Sequence, residues 1–269
     1  MRPAPKWYNE ANMELIKAKA AGKRFKLGDL LHFLLTLALP VAIFLLASQW
    51  ELYALALVLV LLSKWRIFAV QPRFWWANIQ ANVIDVLVGV SVIGLMYQAN
   101  GDVAFQAGWA VFYATWLVML KPLSGTRAVA VQAALGQALA LTALFWYADQ
   151  VTDILMIGGA WIIAYSAARH LVSSYEEDLI LLLSAAWGLF VAEAAWLLNR
   201  WLVVYNIGHH LWVPQITLVI LIVGFCAAHL YDYSKQGRLN ARQVQYVFGF
   251  GGVLLFLVLT VFSNWSGSV

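Results

Sequence analysis

Charge is scarce in this chain. Among its 269 residues are 13 acidic and 17 basic side chains, 11% in all, roughly half of what a soluble domain carries. There is one cysteine, Cys226. That excludes an internal disulfide, and its place in an apolar run suits packing better than thiol chemistry. The chain has no His-Glu-x-x-His, no P-loop glycine pattern and no Gly-x-Ser-x-Gly, the signatures of zinc proteases, nucleotide hydrolases and serine hydrolases. No late apolar run carries a lysine at its middle, where a retinal Schiff base would need one. Neither a metal nor an organic cofactor is expected. No polar stretch is long enough for a soluble catalytic domain, so any chemistry belongs within or at the faces of what the apolar residues build.

Apolar residues are what the chain has in quantity: 63% of the total, with a mean hydropathy of +0.77. With that composition the solvent for most of the chain is lipid. About 20 apolar residues cross a hydrocarbon core of roughly 30 Å. Runs at 30–49, 52–70, 81–98, 103–120, 128–147, 154–168, 178–201, 211–230 and 244–262 predict an all-α bundle of nine transmembrane helices. Residues 1–28 form a basic cytoplasmic segment and 29–269 the membrane domain. In the former, Asn9 can cap a short helix over 10–21, either resting on a membrane surface or solvated. Pro40 and Pro214 are positions where a span can bend. The second run is the least regular, because Lys64 and Arg66 interrupt it near its end, where long side chains snorkel to headgroups. Residues 71–80 then suggest an interfacial connector. The 14 Trp and 11 Tyr suit two interfacial belts.

The positive charges test this count. Nine alternating spans, amino terminus inside and carboxyl terminus outside, place sixteen of the seventeen Lys and Arg on the cytoplasmic side and leave only Arg200 outside. The outer loops hold Glu51, Asp102, Asp149 and Asp153 instead. This is the positive-inside distribution of a cytoplasmic (plasma) membrane protein. It also accounts for the pI near 9.2 without nucleic acid as a partner.

The run 178–201 contains Glu193, the one carboxylate well inside an apolar stretch. Its expected depth is about 20 Å from the cytoplasmic end at 1.5 Å per residue. An intramembrane ionisable group costs at least about 2.5 kcal/mol on insertion scales unless it meets a partner or a cavity. Glu193 is therefore either a functional group or a hydrogen-bonding link between helices. Arg200 lies seven residues on, near the same face. Asp85 stands about one turn inside the third span, at the depth where Lys64 and Arg66 end the second, and an ion pair there is the plainer account. Gln132 and Gln137 are mid-membrane amides that either line a polar path or bond between helices. Ser184, Gly188 and Ala192 form a small-residue packing ridge.

Ser174 and Glu177 have capping-box spacing, as do Asn240 and Gln243. The Glu176-Glu177 pair lacks the arginine a glutamate-pair protease would need, since Leu181 stands there. His209 and His210 are adjacent without further convincing metal ligands. His32, His170 and His229 point to interfacial hydrogen bonding.

Three functions follow from this reading. The first is a transporter or permease for a small solute or lipid with a path near Glu193, for which Glu193, Arg200, Asp85, Gln132 and Gln137 are the substrate or proton-path candidates. The second is a non-catalytic assembly or scaffold component, with a membrane-protein partner or a homo-oligomer. The third is a lipid-modifying enzyme, which would need Asp, His or Arg converging at one face. Lys23, Arg24, Lys26, Lys64, Arg66 and Arg73 are candidates to hold anionic lipid headgroups at the cytoplasmic face of the bilayer.

Overall fold

The computed structural model describes residues 27–99, 101–175, 177–198, 203–206 and 212–261. Among these residues lie nine α-helices: α1 Leu27–Ser48, α2 Tyr53–Leu62, α3 Trp75–Gln98, α4 Val103–Thr115, α5 Thr126–Trp146, α6 Asp153–Val172, α7 Ile180–Leu198, α8 Gln215–Lys235 and α9 Ala241–Phe256. Wide π turns extend α4 through Trp116–Leu120 and α9 through Leu257–Val261. Seven helices, α3 to α9, are long and apolar enough to cross a membrane. The architecture is an all-α bundle of multi-pass membrane type.

The helices run alternately up and down. One end collects Lys64, Arg66, Arg73, Lys121, Arg127, Arg169, Lys235, Arg238 and Arg242, and the other collects Glu51, Asp102, Asp149 and Asp153. These are called the basic and acidic ends below. At the acidic end Gly101 adopts φ +91°, a turn conformation that glycine enters without steric cost. Asp102 then caps α4, accepting from the Phe105 backbone N–H at 3.0 Å.

Three sequence expectations are corrected. The second apolar run is not one long helix: α2 stops at Leu62, about 15 Å long, and the chain continues in 3-10 turns at Trp65–Phe68 and Pro72–Phe74. The Ser63 hydroxyl donates to the Val60 carbonyl, and Lys64 turns inward to Asp85, the ion pair the sequence suggested, and not outward to headgroups. Most of the expected connector is helix, because α3 starts at Trp75. Pro214 does not bend a span. It ends a short strand, Trp212–Pro214, paired antiparallel with Val204–Asn206 in the register Tyr205↔Val213, and α8 begins immediately after it. Pro40 does lie within a continuous α1.

Two apolar cores stabilise the bundle. Ile43, Val60, Val88, Met96 and Trp116 centre the first, among α1 to α4. Leu141, Phe145, Met156, Val191 and Ile220 centre the second, among α5 to α8. Leu87 of α3 packs against both. Small residues set the closest approaches. At Gly136 an added Cβ would stand 2.8 Å from Ile84 Cγ2, and at Gly188 it would stand 3.2 Å from the Trp161 carbonyl oxygen. The expected ridge Ser184–Gly188–Ala192 is accordingly on the buried face of α7.

Candidate functional site

The densest polar grouping within the bundle is centred on Asp85. Apolar neighbours at Ile84, Val88 and Val92 hold α3 in the first core, and that packing carries Asp85 inward with them to 7% exposure. Lys64, just past the end of α2, places its ammonium 3.4 Å from Asp85 Oδ2, and Lys121 reaches the same oxygen at 2.5 Å. Trp116 donates from Nε1 to Asp85 Oδ1 at 3.1 Å. The π turn at Trp116–Leu120, closed by the Lys121 N–H on the Trp116 carbonyl, ends α4 where both side chains can meet one carboxylate. One turn deeper, Gly89 lets the Tyr113 hydroxyl come against α3, since a Cβ there would lie 2.9 Å from it. The result is one anion between two cations, a locally positive site that joins α2, α3 and α4.

A second group continues this belt. Gln132 of α5 donates from Nε2 to the carbonyls of Leu120 and Leu123, at 2.6 and 2.9 Å. Its Oε1 takes a bond from His170 Nε2 of α6 at 3.0 Å, which fixes the imidazole proton on that nitrogen. Arg169 reaches Gln80 of α3 at 2.8 Å. Deeper in, Trp187 of α7 donates to Gln137 at 3.0 Å, and Gln106 of α4 donates to the Tyr53 hydroxyl and the Met96 carbonyl.

A third polar group closes the basic end around Glu177, which lies in the loop between α6 and α7. Glu177 pairs with Lys235 and accepts from the Tyr231 hydroxyl, and Tyr175 donates to Asp232 at 3.1 Å. The Lys235 hydrogen bond, then the Tyr231 one, hold the Glu177 carboxyl down to about 2. Ser174 donates back to the Leu171 carbonyl. The first expected capping box is therefore absent: its serine closes α6, and its glutamate clamps α8. At Asn240 the side chain does accept from the Gln243 N–H, at 2.9 Å.

Glu193 is elsewhere. It is exposed on α7, on the face opposite Ser184, Gly188, Val191 and Ala195, which pack inward. Leu189, Phe190, Trp196 and Leu197 surround it, also exposed. It is five residues from the end of the helix at Leu198, about 7.5 Å.

The candidate residues thus separate into groups. Asp85 and Lys64 meet directly, and Gln132 belongs to the same belt. Gln137 bonds to a different helix, and Glu193 faces out. Arg66 and Arg73 are exposed beside α3, with Arg73 over the Phe74 ring. Arg200, Lys23, Arg24, Lys26, His32's side chain, His209 and His210 lie outside the described residues. Sequence reasoning missed Lys121, Trp116 and His170 as site members. Lys121 registered only as a topological charge, and nothing in the spacing of the other two marks their partners.

Two grooves open on the flank. One, of about 390 Å³, runs between α2, α3, α5 and α6 with Tyr53, Tyr97 and Tyr147 at one end. The other, of about 300 Å³, lies between α1 and α4 beside Pro40. Both are lined almost wholly by apolar side chains. Among the described residues, no three His, Cys, Asp or Glu side chains gather as a metal site would require.

No family model, curated protein or solved structure matches the chain.

Proposed function

We propose that the protein is a non-catalytic assembly component of a cytoplasmic membrane, built to hold another membrane protein against its α7 side. One observation carries this reading: Glu193 stands in an outward apolar face. Lipid covers an apolar face well, but it does not satisfy an intramembrane carboxylate, which is costly without a partner. The inner polar groups support the same reading, because Asp85, Gln132, Gln137 and His170 are each engaged in bonds between helices. Asp85 and His170 do converge at one end, as a lipid-modifying enzyme would require, but both serve as braces. We place the basic end in the cytoplasm. The α1–α2 hairpin enters and leaves on that side, so the amino terminus is inside and the carboxyl terminus outside whether the hairpin crosses fully or only dips in. Arg66 and Arg73 would there face anionic headgroups.

The test is site-specific photo-crosslinking in native membranes. Benzoylphenylalanine at Leu189 or Trp196 should give a discrete protein adduct, and the same probe at Ile162 of α6 should give none. Lipid adducts alone at all three positions would reject the assembly role. A second reading, a lipid permease, is favoured by the tyrosine-ended groove of about 390 Å³, which falls in the size range of ligand pockets. Lipid transfer between the leaflets of reconstituted vesicles, lost when Gly94→Leu fills that groove, would support it.

A further inference from the structure

We infer that α7 docks a transmembrane helix of a different membrane protein, one carrying a lysine or arginine in the half of the membrane nearer the acidic end. The inference rests on the assembly reading and specifies its partner.

Charge complementarity is the argument. At 100° per residue, Glu193 points directly away from the face that α7 packs on α6. The side chains around it are Leu189, Phe190, Trp196 and Leu197, and none of these carries a cation to pair with the carboxylate. The cations of the described residues gather at the basic end. From there to Glu193 is about 20 Å along α7, beyond the reach of any side chain. Among the described residues, a second copy of this chain does not supply the missing charge. In a two-fold dimer about the membrane normal, both basic ends lie at the same level, and each α7 brings the other a carboxylate. Two carboxylates facing each other in low dielectric repel or share a proton. The fitting occupant is a helix from another protein, apolar on its contact face, with one cation at the depth of Glu193 and geometry for a charge-assisted hydrogen bond.

The full-length chain in lipid nanodiscs tests this against designed helices of about 20 leucine and alanine residues. One helix carries a lysine at the matching depth, one carries leucine there, and one carries the lysine in the opposite half. Binding is read by resonance energy transfer. The matched lysine helix should bind at least about tenfold more tightly than the other two, as for an ion pair added in a low dielectric. Glu193→Leu should shrink that preference to about twofold or less. Glu193→Gln and Glu193→Leu should both melt like the wild type, because the side chain is outside the packing. Equal binding of the lysine and leucine helices, or a lysine preference that survives Glu193→Leu, would overturn the inference. So would self-association of the chain that depends on Glu193, which would make a second copy the occupant. Crosslinks from Leu189 in native membranes, together with no lysine preference, would leave the assembly role standing and remove only the cation.

Discussion

About half of the apolar window of α3 and of α5 is buried, 50% and 56%, whereas α8 buries 17% and α9 only 6%. In the first region, polar atoms at several levels cross from helix to helix, from Asp85 near the basic end to the Tyr147 hydroxyl on the Gly94 carbonyl. The α8–α9 region is tied mainly at its ends. Glu177, Lys235 and Tyr231 latch the basic end, while Tyr205 and Gln215 both donate to the Val258 carbonyl presented by the π turn of α9. Between them, Gly251 admits Cys226, whose Sγ would lie 2.4 Å from an added Cβ. Tyr246, Phe248, Val253 and Phe256 face outward. One region is braced throughout its depth. The other is pinned at its ends and leaves its middle to lipid or to a partner.

The largest effect should come from Asp85→Leu. It leaves the Lys64 ammonium, with 9% side-chain exposure, buried without its anion, a loss on the order of 3–5 kcal/mol. Unfolding in mixed micelles would measure it. Adding Lys64→Met should recover most of the loss, since an apolar replacement of a buried pair is close to neutral. A single variant as stable as the wild type would mean that the brace carries no stability.

Glycine substitutions sharpen the contrast between regions. At Gly89 a Cβ would stand 2.8 Å from Val60 Cγ1, whereas at Gly249 and Gly252 it would meet nothing within 4 Å. Gly89→Ala should cost about 1–3 kcal/mol. Gly249→Ala and Gly252→Ala should be neutral or stabilising by up to about 1 kcal/mol, from helix propensity. Equal losses at all three positions would erase the difference between the regions.

Gln132→Leu should cost about 1 kcal/mol, the scale of hydrogen bonds between membrane helices. It should also shift the imidazole resonances of His170, which loses its acceptor.

The smallest effect belongs to the latch. Glu177 titrates from an ordinary value of 4.5 down to about 2. A depressed folded value means that its contribution is complete above the unfolded value near 4.5 and disappears as pH falls from there to about 2. Carboxylate infrared difference spectra of the folded protein should show this group still ionised at pH 3. In Lys235→Ala its titration should move up toward 4.5. An unchanged titration would mean that Lys235 does not hold it.

The order of the helices among the described residues was legible in the sequence because run length and charge position are local properties, although only seven of the nine runs gave helices long and apolar enough to cross a membrane. Each of the nine runs contains a helix, and the basic residues of the described chain gather at one end. The end of α2 was not legible. Lys64 and Arg66 marked the second run as irregular, and an ion pair with Asp85, 21 positions from Lys64, was expected, but nothing in the run showed that its helix stops at Leu62. The capping box at Ser174 had the right spacing, but its glutamate bonds more strongly to Lys235 of a distant helix than to a nearby backbone N–H. The hairpin Val204–Asn206 with Trp212–Pro214 gave no alternating run long enough to announce it.

Composition alone made this an apolar helical bundle, because 11% charge cannot dress a water-soluble surface of this size. The sequence also marked Asp85, Gln132, Gln137 and Glu193 as costly, since a polar group taken out of water is destabilising unless it is hydrogen-bonded, and an ionised one more so. Only the tertiary structure decided how each was resolved. Packing turned Asp85 toward two lysines and a tryptophan, and gave Gln132 two carbonyls at the end of α4. The small-residue ridge of α7 met α6, and that contact rotated Glu193 to the outside. Which way a side chain faces depends on which neighbour its helix packs against, and that choice is made by shape complementarity between segments far apart in the chain.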